Sequence, residues 1–240
     1  MGSNNVTLDD IIIRRVTSIN ESKIEEILDV YIKTYWDDIF RGPIVRKENG
    51  CGRYMAKGMF LTAVMNGLAF VAEHKDDGRV LAGIGFFKPG KERIFGSEEE
   101  QKLSGYKTMH ELMTDEENAL WDEQMEIWFS IIDKGILSSI EHGYPIMQLF
   151  VSPEVQKRGI GTRLVRESLK LIIDSNDPDA YAFLGAYTPK AIRLYEHLGF
   201  KITASAEIPL ELVRTDGGPR KSFLGTIMTK PRSKMLEEDT

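Results

Sequence analysis

The spacing of apolar and polar positions changes several times along this chain, and each change marks an element. Ile11-Ile12-Ile13-Arg14-Arg15-Val16 is short, apolar and β-branched, as a first strand requires. Ile24, Ile27, Leu28, Tyr31 and Tyr35 then fall at helical spacing, with Asn20 or Ser22 available as cap and Gly42-Pro43 in the loop beyond. A less regular helix over 52–65 stops at Asn66-Gly67. Segments 68–73 and 79–87 read as a hairpin around Lys75-Asp76-Asp77-Gly78. The stretch 88–113 has no clear period and reads as a long surface insertion, with Glu98-Glu99-Glu100 as a solvated face.

In the second half, Thr114 and Glu117 form a capping box for a helix with Trp121, Met125, Trp128, Ile131 and Ile132 on one face. That helix is expected to end near His142-Gly143. The apolar run 145–151 suits a strand buried on both faces. A loop over 152–161 opens a helix over 161–174, which Asn176-Asp177-Pro178-Asp179 breaks. Tyr181–Ala186 is a strand, Ala191, Leu194, Tyr195 and Leu198 line one face of a helix, and Gly199 suits the left-handed position that ends it. Strands over 200–208 and 222–229 close the pattern, joined by a loop with Thr215-Asp216-Gly217-Gly218-Pro219. The order predicts a mixed α/β sheet in one domain spanning 1–240, with 88–142 as insertion plus extra helix and 230–240 as a frayed tail.

Composition narrows the class. With 42% hydrophobic and 28% charged residues, the chain can bury a core without disulfides or structural metals. A single cysteine, Cys51, cannot bridge internally and fits a reducing compartment. The net charge of -6 argues against a general nucleic-acid binder. No apolar run approaches the roughly 20 residues that span a bilayer, and 1–10 lacks the features of a secretory leader. The expectation is a cytoplasmic protein, monomer or homodimer, without nucleic-acid or membrane partners.

The chemistry concentrates at Gln156-Lys157-Arg158-Gly159-Ile160-Gly161, between a buried strand and a helix. The first amides of a helix lack intrahelical partners, and the helix dipole places partial positive charge there. Glycines at 159 and 161 let the backbone approach a ligand, so the segment reads as a phosphate cradle, with Lys157, Arg158 and Arg163 nearby. The P-loop pattern is absent, and Leu164 stands where a dinucleotide fingerprint needs its third glycine.

What matches is Gln/Arg-x-x-Gly-x-Gly/Ala, the pyrophosphate signature of the GNAT acetyltransferases, preceded by a similar strand and turn at Leu149-Phe150-Val151-Ser152-Pro153-Glu154. Downstream, Ala191-Ile192-Arg193-Leu194-Tyr195-Glu196-His197-Leu198-Gly199-Phe200 resembles the second GNAT block. The detailed likeness covers about 145–205, and its flavour is that of fungal-type members.

The resemblance implies a single-domain, mostly antiparallel sheet flanked by helices, with a splayed central pair of strands. It implies acetyl-CoA as co-substrate, an amine-bearing acceptor, direct transfer and no metal. Backbones of Phe150 and Val151 would bind the pantetheine arm, the Val151 amide supporting the thioester carbonyl. Gln156, Lys157, Arg158, Gly159, Ile160, Gly161 and Thr162 would hold the pyrophosphate. Tyr195 matches the tyrosine that protonates the departing thiolate, although helical spacing alone would make it a packing residue. Thr188 stands where many members carry an asparagine that binds the arm; as a residue it reads equally as a helix N-cap before Pro189. The resemblance places the acceptor near Tyr35, Trp36 and Asp37, an aromatic and acidic wall for a cationic amine.

The general base stays open. An amine of pKa about 10.4 is only about 0.1% neutral near pH 7, and the strand 145–151 carries Gln148 rather than an acid. Glu73, Asp37 and Glu126 are candidates, each equally readable as a solvated charge. The missing acid and the altered Thr188 motivate an alternative, a non-catalytic acyl-CoA-binding module. His74, His110, His142 and His197 show no ligand spacing, and a lone Cys51 reads as packing.

Overall fold

The computed structural model describes residues 6–20, 22–90, 97–172, 177–211 and 221–236. The 215–219 turn and the end of the 161–174 helix lie outside them. The elements are β1 (Ile11–Val16), α1 (Ile24–Tyr35), α2 (Gly42–Val45), α3 (Cys51–Met65), β2 (Ala69–His74), β3 (Val80–Phe86), α4 (Glu98–Ser104), α5 (Tyr106–Glu111), α6 (Asp115–Gly135), β4 (Gly143–Val151), α7 (Ile160–Ile172), β5 (Tyr181–Ala186), α8 (Pro189–His197), β6 (Lys201–Pro209), β7 (Ser222–Pro231) and α9 (Ser233–Leu236). The strands hydrogen-bond in the order β1-β2-β3-β4-β5-β7-β6. Strands β4 and β5 run parallel, while β1 with β2, β2 with β3, β5 with β7 and β6 with β7 run antiparallel. Two compact units emerge, one of residues 6–20, 22–88, 97–109 and 147–172, the other of 89–90, 110–146, 177–211 and 221–236. Strand β4 gives its second half to the first unit and its first half to the second.

In the first unit, β1 pairs with β2 from Ile11↔His74 to Val16↔Ala69, and β2 pairs with β3 across a bulge at Ala72/Glu73. Helices α1 and α3 pack on this sheet, and α7 covers β2 and β3. The glycines of β3 explain the fit. A Cβ on Gly83 would stand 2.2 Å from the Phe150 ring, and one on Gly85 2.5 Å from the Gln148 amide. Strand β3 is smooth where β4 projects a large ring, and that ring meets Tyr31 and Phe60 edge-on at 5.5 and 5.8 Å.

In the second unit, β7 lies between β5 and β6, with registers Tyr181↔Pro231 and Lys201↔Thr229. Trp128 of α6 lies over Gly185 and Gly225, where a Cβ would come within 2.8 and 3.1 Å of its ring. Helix α8 starts at Thr188, with Pro189 in its first turn, and ends through Gly199 at φ 81°. Lys230 of β7 is buried, and its Nζ donates to the carbonyl of Leu198 at 2.7 Å, capping that helix end.

Three expectations need correction. The stretch 88–113 is not featureless: Ser97 caps α4, Gly105 at φ 70° ends it, and Glu98-Glu99-Glu100 form its acid-rich first turn, with Glu100 buried. Helices this short carry too few turns for a readable period. Helix α6 stops at Gly135 rather than near 142–143. Gly143 instead starts β4, where a Cβ would collide with Tyr181 and Phe183 at 2.8 Å. Lys230 and Pro231 belong to β7 rather than to a frayed tail.

Candidate functional site

Strand β4 ends in a short turn at Pro153–Val155, and the chain reverses through Gln156 into α7. Lys157 has φ 63°, the one non-glycine residue with positive φ among those described, and Gly159 follows at φ 81°. A left-handed lysine costs about 1–2 kcal/mol relative to an ordinary backbone, and such strain concentrates at ligand sites. Alternation between left-handed and ordinary backbone is the pattern by which successive amides can turn toward one side as an anion-binding nest. Ile160 is buried and anchors the start of α7. A Cβ on Gly161 would sit 3.3 Å from Val151 Cγ2, so a glycine there lets the helix start lie close to β4.

The basic side chains around the bend divide their work. Arg158 donates to the carbonyls of Val6 (3.2 Å) and Glu154 (3.4 Å). Arg163 donates to Leu8 (2.5 Å) and pairs with Glu167 at 2.6 Å. Both therefore tie the loop to neighbouring segments, while Lys157 is exposed. Gln156 Nε2 folds back onto the Val151 carbonyl at 3.0 Å, and Thr162 is half-buried in the first turn of α7.

Strand β4 has two different edges. Its register with β5 runs from Gly143↔Tyr181 to Ile146↔Leu184. Beyond it, the Ser152 amide donates to Leu81 of β3 at 2.8 Å. Peptide groups alternate sides along a strand, so Gln148, Phe150 and Ser152 direct theirs toward β3, and Met147, Leu149 and Val151 direct theirs the other way. By this alternation the peptide groups of Leu149 and Val151 face away from β3, while Phe150 sends its ring into the core. Their carbonyls already accept bonds, from the Tyr35 hydroxyl to Leu149 (2.9 Å) and from Thr34 to Val151 (3.0 Å). Arg41 Nη2 reaches Met147 at 3.4 Å.

The residues suggested for the acceptor lie at the end of α1 and just beyond it. Trp36 is 48% exposed and Asp37 is also exposed. What lies beside Tyr35 is a cation: the Arg41 guanidinium stands 4.4 Å from its ring centroid and 5.8 Å from that of Tyr31, and donates to the Tyr31 hydroxyl at 3.2 Å. Burial pushes both phenols above the ordinary tyrosine range, with Arg41 pulling partly back, so they stay protonated donors at neutral pH. Thr34 and Arg41 escaped the sequence reading. Thr34 follows the apolar helix face without belonging to it, and nothing local showed which carbonyl either would reach.

In the second unit, Tyr195 is buried on α8 against Phe200, ring centroids 5.5 Å apart. Thr188 is the helix cap, its hydroxyl accepting from the Ala191 amide at 3.2 Å. Of the suggested bases, Glu73 is held by Arg14 at 2.9 Å and Lys23 at 3.4 Å, and Glu126 is exposed on α6. Among the described residues, no helix is long and apolar enough to cross a membrane, and no group of three or more His, Cys, Asp or Glu is placed to hold a metal ion.

Comparison with known proteins adds to this geometry. Residues 124–202 match the acetyltransferase (GNAT) domain model. No curated protein matches the sequence. Among solved structures, an agmatine N-acetyltransferase mutant in apo form shares 17% identity at TM-score 0.59, over 93% of this chain and 100% of that one. The Drosophila melanogaster polyamine N-acetyltransferase shares 16% at 0.56, over 92% and 100%. Arylalkylamine N-acetyltransferase 2 from Aedes aegypti shares 15% at 0.56, over 92% and 99%. These likenesses establish the fold. With its parallel β4–β5 pair and the bend that leads into α7, the chain has the fold of these acetyltransferases, and residues 124–202 match the GNAT domain model.

Proposed function

We propose that this chain is an N-acetyltransferase that moves an acetyl group from acetyl-CoA to a primary amine by direct attack in a ternary complex, and that its 240 residues form one domain. The observation that carries the reading is the bend at Lys157 and Gly159, where a strained backbone leads into the amide-rich start of α7. The first amides of α7 have no intrahelical acceptors, Gly161 keeps the helix start close to β4, and Lys157 is the exposed cation. The matched domain supports the acyltransferase chemistry, and the neighbours named for agmatine, polyamine and arylalkylamine acetylation support an amine acceptor.

The thioester supplies the acyl group: attack by the neutral amine nitrogen forms the C–N bond and breaks the C–S bond. The chain contributes donors and position. The Val151 amide, on the β4 edge that faces away from β3, stabilises negative charge growing on the carbonyl oxygen. Amides of 156–162 hold the diphosphate. The Tyr195 hydroxyl gives its proton to the departing sulfur, and the proton that the attacking nitrogen sheds returns through solvent to the tyrosinate.

The test is thiol release from acetyl-CoA across a panel of agmatine, polyamines and arylalkylamines, with Tyr195→Phe alongside wild type. Turnover should fall by about two orders of magnitude, with acetyl-CoA affinity by calorimetry nearly intact. Unchanged turnover at every pH removes Tyr195 from the mechanism. Tight acetyl-CoA binding without release by any amine, protein and peptide amines included, assigns a non-catalytic acyl-CoA-binding module instead.

A further inference from the structure

On the β4 edge facing away from β3, the carbonyls of Met147, Leu149 and Val151 point one way and are capped by Arg41, Tyr35 and Thr34, with Gln156 Nε2 a second donor to Val151. An extended ligand arm that adds to this edge as a strand brings its own N–H groups to the same carbonyls. The three caps differ in how readily they yield. The Thr34 hydroxyl lies 2.8 Å from the Val30 carbonyl, one helical turn back, as well as 3.0 Å from Val151. Its single hydrogen keeps a partner whichever carbonyl it leaves. The Arg41 contact is long, at 3.4 Å, and the guanidinium also holds the Tyr31 hydroxyl. The Tyr35 bond is short and directed, at 2.9 Å, and that hydroxyl also has one hydrogen to give.

We propose that Tyr35 is a positioning residue that couples the two substrates: its hydroxyl caps the Leu149 carbonyl until the pantetheine arm takes that carbonyl, and then turns to hydrogen-bond the acceptor. The proposal rests on the coenzyme reading above. Released from Leu149, the hydroxyl stays a protonated donor, because its desolvation outweighs the opposing pull of the Arg41 guanidinium over its ring. Coenzyme therefore binds first, and the acceptor meets a donor that only the coenzyme complex presents. The cost of breaking the cap is charged to coenzyme affinity.

Titrating coenzyme A into wild type, Tyr35→Phe and Thr34→Val by calorimetry tests this. Tyr35→Phe should bind coenzyme A about three- to tenfold more tightly, the range of one net hydrogen bond, while its acceptor KM rises. Thr34→Val should change affinity less than about twofold, since its hydroxyl has a second partner in the helix. Unchanged or weaker coenzyme A binding by Tyr35→Phe overturns the proposal and leaves the coenzyme reading standing. Absence of binding by wild type overturns both. If the phenylalanine chain does not fold, fluorotyrosine-labelled wild type replaces it. One tyrosine fluorine resonance must then shift on saturation with coenzyme A, and a spectrum that stays the same while calorimetry records binding overturns the proposal.

Discussion

Lys157 shows a single residue under two demands. Its φ of 63° would suit glycine, yet its side chain is an exposed cation at the proposed phosphate bend. Lys157→Gly should raise folding stability by about 1 kcal/mol, by removing the left-handed penalty of a residue with a Cβ, and weaken acetyl-CoA binding several-fold. Chemical denaturation and calorimetry on the same two proteins check both signs; a variant that is less stable would contradict the strain account. The sequence made Gly159 and Gly161 legible as backbone requirements because their residue type declares them. It could not show the strain at Lys157, since nothing in the letter lysine announces a positive φ. Likewise the pattern placed Arg158 and Arg163 near the anion site, and only the folded chain shows them holding the carbonyls of Val6, Glu154 and Leu8.

Elements with several turns or a strong punctuating residue were readable; short ones were not. The capping box at Thr114 and Glu117 is formed as expected, and Tyr181–Ala186 is the strand that its run of apolar residues predicts. Helices α4 and α5 have seven and six residues, too few to impose a period. Pairing between elements adds a pH-dependent link. His142, in the turn before β4, bonds Asp177, ahead of β5, at 2.9 Å. That hydrogen bond raises the His142 pKa above its ordinary 6.5 and lowers that of Asp177 below 3.8. The histidine's contribution is complete below its unfolded pKa and is lost as pH rises through the raised folded value. The aspartate's is present above its unfolded pKa and is lost as pH falls through the depressed one. Thermal unfolding of wild type and His142→Gln should therefore differ most between about pH 4 and 6.5 and converge as pH rises through the histidine's raised value. Equal differences at every pH would mean that charge on this pair contributes nothing.

For the molecule as a whole, β4 is the element that neither compact unit keeps to itself. Its first half is paired with β5, its second half carries Phe150 into the core of Tyr31 and Phe60, and the Gln148 amide donates to Met59 at 3.0 Å. Withdrawing β4 would strip both units at once, so the proposed single domain should unfold in one calorimetric transition whose van't Hoff and calorimetric enthalpies agree. Two resolved transitions would divide the chain into independent domains. The sequence foresaw a mixed sheet because strand and helix periods alternate in its second half. It did not foresee which edge of β4 stays available, since that depends on alternation counted from Ser152, a contact made across the sheet with Leu81.

Lys230 offers a native reporter. At 3% exposure, with its ammonium held by Leu198, it should resist amine-reactive labels that modify surface lysines within minutes. Its label would appear in a mass spectrum only when β7 detaches, so the labelling rate of this one nitrogen clocks the opening of the chain's final strand.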